Sequence, residues 1–416
     1  MRILYLHQYF TLPSGSGGTR SYEMSRRLAA AGHEVTMITS SACLEEPPPP
    51  ERGWRSRDID GVHMEIVNVP YDNAMSYIER FRAFIAFAVR ASWHVRKFDA
   101  DVVFATSTPL TIVIPALAAK LRRRIPLVLE VRDLWPELPI AVGALRNPFL
   151  KAAARGLEWL AYRASTHIVA LSPGMARGVA RRGFPASRVT VIPNGCDVAL
   201  FDVPAGKGHW VRERLGLSQG QPLVVYAGTF GLVNGLSYLV ETAAAARIAA
   251  PELRFLLVGH GAETRKLTGQ AERAGILNRT LWIWPPMAKS QVPELLAAAT
   301  TAVSLFVPLE ALWDNSANKF FDALAAGKPV AVNYEGWQAD LLRESAAGIV
   351  LPADDPARAA VMLSEFLRDP GRLERASAAS RRLANDVFHR DLLYVRLEGV
   401  LEAAAGRRRS GRPQAG

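Results

Sequence analysis

Met1-Arg-Ile-Leu-Tyr-Leu-His7, Pro13-Ser-Gly-Ser-Gly-Gly-Thr19, Ser21-Tyr-Glu-Met-Ser-Arg-Arg-Leu-Ala-Ala-Ala31 and Val35-Thr-Met-Ile-Thr39 follow one another at the start of the chain. They read as strand, glycine loop, helix and strand. Ile3 to Leu6 is a short continuous apolar run, as expected of a strand covered on both faces. Met24, Leu28 and Ala31 recur at helical spacing, and Gly32 stops that helix. A strand–helix–strand unit of this kind calls for a parallel sheet.

The same alternation continues outward. Strands are expected at residues 62–69, 102–106, 127–131, 167–171 and 189–192, with helical patterns at 78–93, 110–121 and 149–163. Residues 47–50 are four prolines and read as a surface turn. The pattern restarts with a strand at 223–227, a loop at 228–235 and a helix at 236–248. Further strands follow at 254–258, 281–284, 302–305, 329–332 and 348–351. Helices are expected at 263–274, 291–298, 317–326 and 340–345, and three more close the chain, at 356–368, 371–387 and a last one ending at 405. The expected fold is therefore α/β, with two doubly wound domains facing a central cleft. We place the first domain at 1–200, a polar linker at 201–221 and the second domain at 222–385. Residues 386–405 form a helix packing back on the first domain, and 406–416 a basic, disordered tail. In such sheets ligands bind outside the carboxyl ends of the strands.

Composition narrows the function classes. The 416 residues are 49% hydrophobic and 21% charged, ordinary for a globular chain, which argues against wholesale disorder. Fifty basic against 39 acidic residues give a formal charge of +11, which favours polyanions: nucleic acid, anionic lipid or phosphorylated substrates. Cys43 and Cys196 are the only cysteines, so no disulfide framework is expected and a reducing compartment fits. The first residues read as a strand rather than a signal peptide, and no apolar run reaches the roughly 18 residues a membrane span needs.

Several polar segments fall where strands end. Gly15-Ser-Gly-Gly-Thr19 stands between a strand and a helix; Gly17 and Gly18 would let a ligand approach the backbone, although a plain flexible turn reads as well. It is neither a Walker loop nor a G-x-G-x-x-G fingerprint. The second glycine loop, Gly228-Thr-Phe-Gly-Leu-Val-Asn-Gly235, has amides that could hold a diphosphate, with Gly228, Thr229, Asn234 and Gly235 as candidates. Asp314-Asn-Ser-Ala-Asn-Lys-Phe-Phe-Asp322 is the densest polar cluster of the second half. Ser316 suits a helix N-cap. Lys319 in the first helical turn opposes the helix dipole, unless an anion sits beside it. Glu130-Val-Arg-Asp-Leu-Trp-Pro-Glu137 clusters four charges at a strand end, where Arg132 and Asp133 serve either an ion pair or a ligand.

Arg80-Phe-Arg-Ala-Phe-Ile-Ala-Phe-Ala-Val-Arg90, with Arg96 and Lys97 beyond it, is basic and aromatic. Phe84 and Phe87 share a helical face with Phe81. Such a helix reads as a contact with an anionic membrane surface through Arg80, Arg82, Arg90, Arg96 and Lys97, or as a core helix with arginine flanks. The histidines show no metal-ligand spacing, so no metal is expected, and Ser107 and Ser172 lack a hydrolase elbow.

Taken together, these segments resemble the family 4 glycosyltransferases of the GT-B fold over nearly the full chain. The resemblance rests on the opening loop before Ser21-Tyr-Glu23, Gly32-His-Glu-Val35, Pro193-Asn-Gly-Cys-Asp197 with Phe201, Tyr226-Ala-Gly228, Leu257-Val-Gly-His-Gly261 and Ala325-Ala-Gly-Lys-Pro-Val330. Asp133-Leu-Trp-Pro-Glu137 and Asn315-Ser-Ala-Asn-Lys-Phe-Phe-Asp322 look like the bacterial surface-polysaccharide subgroup that includes N-acetylfucosamine transferases of O-antigen synthesis. The resemblance implies metal-free, retaining transfer from a nucleotide-diphosphate sugar held chiefly by the C-terminal domain. The family's E-x7-E signature falls here on Asp314 and Asp322. It implies that Asp322 binds the nucleotide ribose and that Asp314 lies near the donor sugar; Asn315, Ser316 and Asn318 of the same segment are candidate donor-binding residues.

Two departures matter. The second glycine loop lacks the family's Arg and Lys, so Lys319 is expected to supply the cation. The family histidine after the fourth strand is also absent, with Arg132 and Asp133 in its place. Asp133 or Glu137 could take the acceptor's proton, or the donor phosphate could. Uridine is the expected base, held near Trp284 and Met287.

The expected function is sugar transfer to a lipid-linked glycan acceptor in bacterial polysaccharide synthesis, at the cytoplasmic face of the membrane and without nucleic acid. A nucleotide-sugar epimerase or hydrolase of the same fold, and more remotely a non-enzymatic polyanion binder, are the alternatives.

Overall fold

A computed structural model describes residues 1–15, 17–44, 48–50, 53–71 and 75–406. Ser16 of the first glycine loop, Pro47 of the proline turn and the basic tail 407–416 lie outside the described residues. The chain forms two compact units, Met1–Pro193 with Asp391–Gly416, and Asn194–Arg390.

The first unit carries eight strands: β1 Arg2–Leu6, β2 Glu34–Ser40, β3 Trp54–Ile59, β4 Val62–Val67, β5 Val102–Thr106, β6 Leu127–Val131, β7 His167–Ala170 and β8 Val189–Val191. Their order is β3-β4-β2-β1-β5-β6-β7-β8, and every pairing is parallel except β3 with β4. Alternating side chains explain the two covered faces. Leu4 and Leu6 of β1 join Phe87, Val113 and Ala161 from helices on one side. Ile3 and Tyr5 join Met24, Leu28 and Leu397 on the other. β3 escaped the sequence reading because Trp54-Arg-Ser-Arg-Asp-Ile59 is a charged, half-exposed edge strand with no apolar run.

The second unit carries β9 Leu223–Ala227, β10 Arg254–Val258, β11 Leu281–Trp284, β12 Thr301–Ser304, β13 Val330–Val332 and β14 Gly348–Val350. All are parallel, in the order β11-β10-β9-β12-β13-β14. The order reverses at β9 beside β12, as it does at β1 beside β5 in the first sheet. A crevice for ligands is expected at each such point.

One stretch sits differently from the sequence reading. Residues 201–221 belong to the second unit rather than standing as a linker. They hold the helix His209–Leu215, where Trp210 Nε1 donates to Glu294 at 3.1 Å and Arg212 Nε to the Ala298 carbonyl at 3.0 Å. The last helix, Arg390–Ala404, buries Leu393, Leu397 and Leu401 in the core of the first unit. Its Glu398 meets His33 Nε2 at 3.1 Å, and Asp391 accepts from Arg27 Nε at 2.6 Å.

Candidate functional site

In the second unit the loops after β9 and β12 meet at the reversal point. Gly228 adopts φ +153°, and a Cβ there would stand 3.2 Å from Lys319 Cε and 3.3 Å from the Tyr226 hydroxyl. A bare backbone is what lets the Lys319 stem pass. Gly235 adopts φ +57°, and a Cβ there would stand 3.0 Å from Val307 N. The second loop is pinned where Asn333 Oδ1 accepts from Phe306 N and Nδ2 donates to Phe306 O, both at 3.0 Å.

Lys319 is the second residue of the short helix Asn318–Ala325. Its Nζ donates to Asn234 Oδ1 at 2.9 Å, lies 5.0 Å from the Tyr226 ring centre and 5.9 Å from that of Phe306. Asn234 Nδ2 and the Tyr226 hydroxyl both donate to the Thr229 carbonyl, at 3.0 and 2.8 Å. Burial pushes the Lys319 pKa down to about 8, against the pull of Asp322. The strand-end aromatics, the loop and the lysine thus form one connected group.

Asp322 sits three residues on, on the same face of that helix. Its Oδ1 accepts from Lys289 Nζ at 2.5 Å, with the two side chains 18% and 10% exposed. Lys289 in turn lies 5.3 Å from the Phe201 ring centre. Ser316 does not cap the helix. Ala317 occupies the N-cap position without a side-chain bond, and Ser316 Oγ instead accepts from Asn194 N at 3.1 Å. The Asn315 carbonyl accepts from Trp337 Nε1 at 3.0 Å. Asp314 and Asn318 are half-buried in the same segment, and Thr229 is exposed at the loop tip.

Trp284 ends β11, at the outer edge of the sheet rather than at the reversal point. Its ring stacks on Trp210 with centroids 6.0 Å apart and carries the Arg214 guanidinium at 4.8 Å. These contacts leave Trp284 buried in the packing of that edge. Met287 is half-buried just before Lys289.

In the first unit, Gly17 is exposed and Gly18 half-buried in the loop before Arg20–Ala30. Asp133 follows β6; its Oδ2 accepts from Thr108 Oγ1 at 3.1 Å. Burial raises the Asp133 carboxyl above its usual range, opposed by that hydrogen bond and by Arg132. The Arg132 N–H donates to Ser107 Oγ at 3.0 Å. Thr108 holds φ +102°, a strained value for a β-branched residue. His7 lies buried nearby, its Nδ1 without a hydrogen-bond partner, and burial followed by the Arg132 charge keeps it well below its usual pKa. Glu130 is structural: it is fully buried and accepts from Arg20 Nε at 2.9 Å and Thr106 Oγ1 at 3.1 Å. Glu137 is ion-paired with Arg182.

The basic helix divides differently from its sequence reading. Phe87 is fully buried in the core, and Phe84 packs on Tyr71 with ring centroids 6.1 Å apart, so neither shares an outward face with Phe81. Arg80 and Arg90 are half-buried and donate to the Met75 and Asn68 carbonyls, at 3.0 and 2.7 Å. Arg82, Arg96 and Lys97 are exposed. Sequence reasoning missed Lys289, Tyr226 as a ring beside the cation, and His7. Tyr226 carried a signal, standing two residues before Gly228 at a strand end.

This arrangement, a glycine loop and a helix-borne cation at the reversal point of a parallel sheet, suits a diphosphate. Residues 15–195 match the model of the glycosyl transferase 4-like domain, and residues 211–383 that of glycosyl transferases group 1. The chain belongs to the family 4 glycosyltransferases of the GT-B fold.

A D-inositol 3-phosphate glycosyltransferase of Xylanimonas cellulosilytica is 28% identical over 406 residues, 89% of each chain. Escherichia coli WcaI, named for colanic acid biosynthesis, is 25% identical over 293 residues, 67% of this chain and 70% of that one. The structure of Anabaena HepE in complex with UDP-glucose superposes with a TM-score of 0.71 at 18% identity, covering 97% of this chain and all of that one. The name carried by the first relative is not N-acetylfucosamine transferase, so the subgroup suggested by residues 133–137 and 315–322 is not what it indicates.

Proposed function

We propose that the protein moves a sugar, with retention, from a UDP-linked donor to a lipid-linked glycan acceptor in bacterial surface polysaccharide synthesis, at an anionic cytoplasmic membrane face. The observation that carries the donor half is Lys319, led through the gap at Gly228 to Asn234 with its charge in a half-buried site. An ammonium partly withdrawn from water costs free energy unless an anion offsets it, and a leaving diphosphate is such an anion. The N–H groups of Thr229, Gly231, Leu232 and Val233 and the N-terminus of Asn318–Ala325 supply the remaining donors, since those of Gly228, Phe230, Asn234 and Gly235 already donate to backbone carbonyls. Asp322 takes the ribose hydroxyls, with Lys289 holding its carboxylate in place, and Asp314 faces the donor sugar.

In the transfer, the bond from the anomeric carbon to the diphosphate oxygen breaks and a bond to the acceptor oxygen forms on the same face. The acceptor's proton goes to the departing phosphate or to Asp133, and Lys319 offsets the charge on the leaving group. Among names, WcaI supports a polysaccharide role and HepE a uridine base. A UDP-linked N-acetylated amino sugar is one donor to include in assays.

Calorimetric titration with UDP, GDP and ADP tests the base. Lys319→Ala and Asp322→Ala are expected to abolish transfer while leaving the circular dichroism spectrum unchanged. Wild-type turnover in either variant overturns the site.

A further inference from the structure

The large apolar side chains that the described residues leave exposed are concentrated on one layer of the first unit. On the helix Tyr77–His94, Ile78, Phe81, Ile85, Val89 and Trp93 are 66%, 49%, 38%, 52% and 68% exposed. At 3.6 residues per turn they occupy an arc of about 120°, opposite the buried Ala83, Phe87 and Ala91. The helix Val113–Arg123 packs beside it and leaves Leu121 exposed. The helix Pro148–Ala164 lies next in the layer, with Phe149 at 81% and Trp159 at 61%. All three helices pack their inner faces into the same core, so their outer faces form one surface.

Its charge decides the occupant. Arg82, Arg96, Lys97, Arg122 and Arg155 are exposed among these apolar groups. The acids nearby are fewer: Glu79 is exposed and accepts from Ser76 N at 2.8 Å, Glu158 is buried 3.4 Å from Arg182, and Glu137 lies 3.8 Å from Arg155. The Arg96 guanidinium lies over the Trp93 ring at 4.6 Å, which puts a cation level with an exposed aromatic. A second copy seated on this face by two-fold symmetry would set one basic array against another. An anionic bilayer offers both halves of the match, acyl chains for the rings and headgroups for the guanidiniums.

We infer that the joined outer faces of Tyr77–His94, Val113–Arg123 and Pro148–Ala164 dock on an anionic lipid bilayer, with Trp93 and Trp159 as inserted anchors. This deepens the membrane part of the proposed function and extends it to the third helix, which no basic run in the sequence singled out.

The full chain is sedimented with vesicles of phosphatidylcholine alone, or with phosphatidylglycerol added, with no donor or acceptor present. Binding is expected to the mixed vesicles only, weakening with salt, with a blue shift of tryptophan emission. Trp93→Ser with Trp159→Ser, and separately Arg82→Glu with Arg96→Glu and Lys97→Glu, are each expected to lower partitioning by about tenfold or more. These side chains are exposed, so the melting temperature should not move, and UDP titration of the same samples should match wild type. Equal partitioning of wild type and variants overturns the inference. So does a wild-type dimer in sedimentation velocity that the tryptophan variant loses. Loss of UDP binding in wild type would instead count against the donor site and leave the docking result standing.

Discussion

Lys319 shows how a single residue can be costly to the fold and useful to the chemistry. Its pKa is pushed down from 10.5 to about 8 in the folded chain. Between those values the unfolded chain holds a proton that the folded one has released, so stability rises with pH across that window and the charged lysine weakens the fold below it. Lys319→Met is therefore expected to raise the melting temperature at pH 7, while weakening UDP binding by about 10- to 100-fold, as for a lost charged hydrogen bond. A lower melting temperature would mark the lysine as structural. Donor affinity in the wild type should be flat below pH 8 and fall above it as the ammonium deprotonates. Calorimetry across that range checks this, and the Lys319→Met profile should be flat throughout.

At the scale of elements, the eight-residue helix Asn318–Ala325 presents Lys319 and Asp322 on one face, while Phe320, Phe321 and Leu324 are buried beneath it. Its inner face fixes the angle at which the two polar groups emerge. The terminal helix Arg390–Ala404 does comparable work far along the chain, completing the core under β1. Leu397 is fully buried there. Leu397→Ala should cost about 2–5 kcal/mol through the cavity it leaves. Chemical denaturation measures this directly, and an unchanged midpoint would mean the helix is dispensable to the first unit.

For the whole molecule, the proposed chemistry places all neutralisation of the leaving diphosphate on protein groups. Transfer should then persist in excess chelator, and activity lost with chelator and restored by magnesium or manganese would refute this. Among the described residues, no helix is long and apolar enough to cross a membrane.

Most strands could be read from the chain because a strand covered on both faces must be apolar along its length, as Leu223-Val-Val-Tyr-Ala227 is. The glycine loops were legible for a related reason: only glycine tolerates the backbone angles and close approaches found at Gly228 and Gly235. The strand Trp54–Ile59 was hidden because an edge carries no such demand. Pairings between distant residues were also out of reach. Asp322 meets Lys289 across 33 positions, and Lys319 meets Asn234 across 85, through strand order that local patterning does not encode. Which phenylalanine of the basic helix points outward was decided by packing: apolar residues stood on both sides of that helix, and only the sheet beneath it selected Phe87 for the core and left Phe81 in the open.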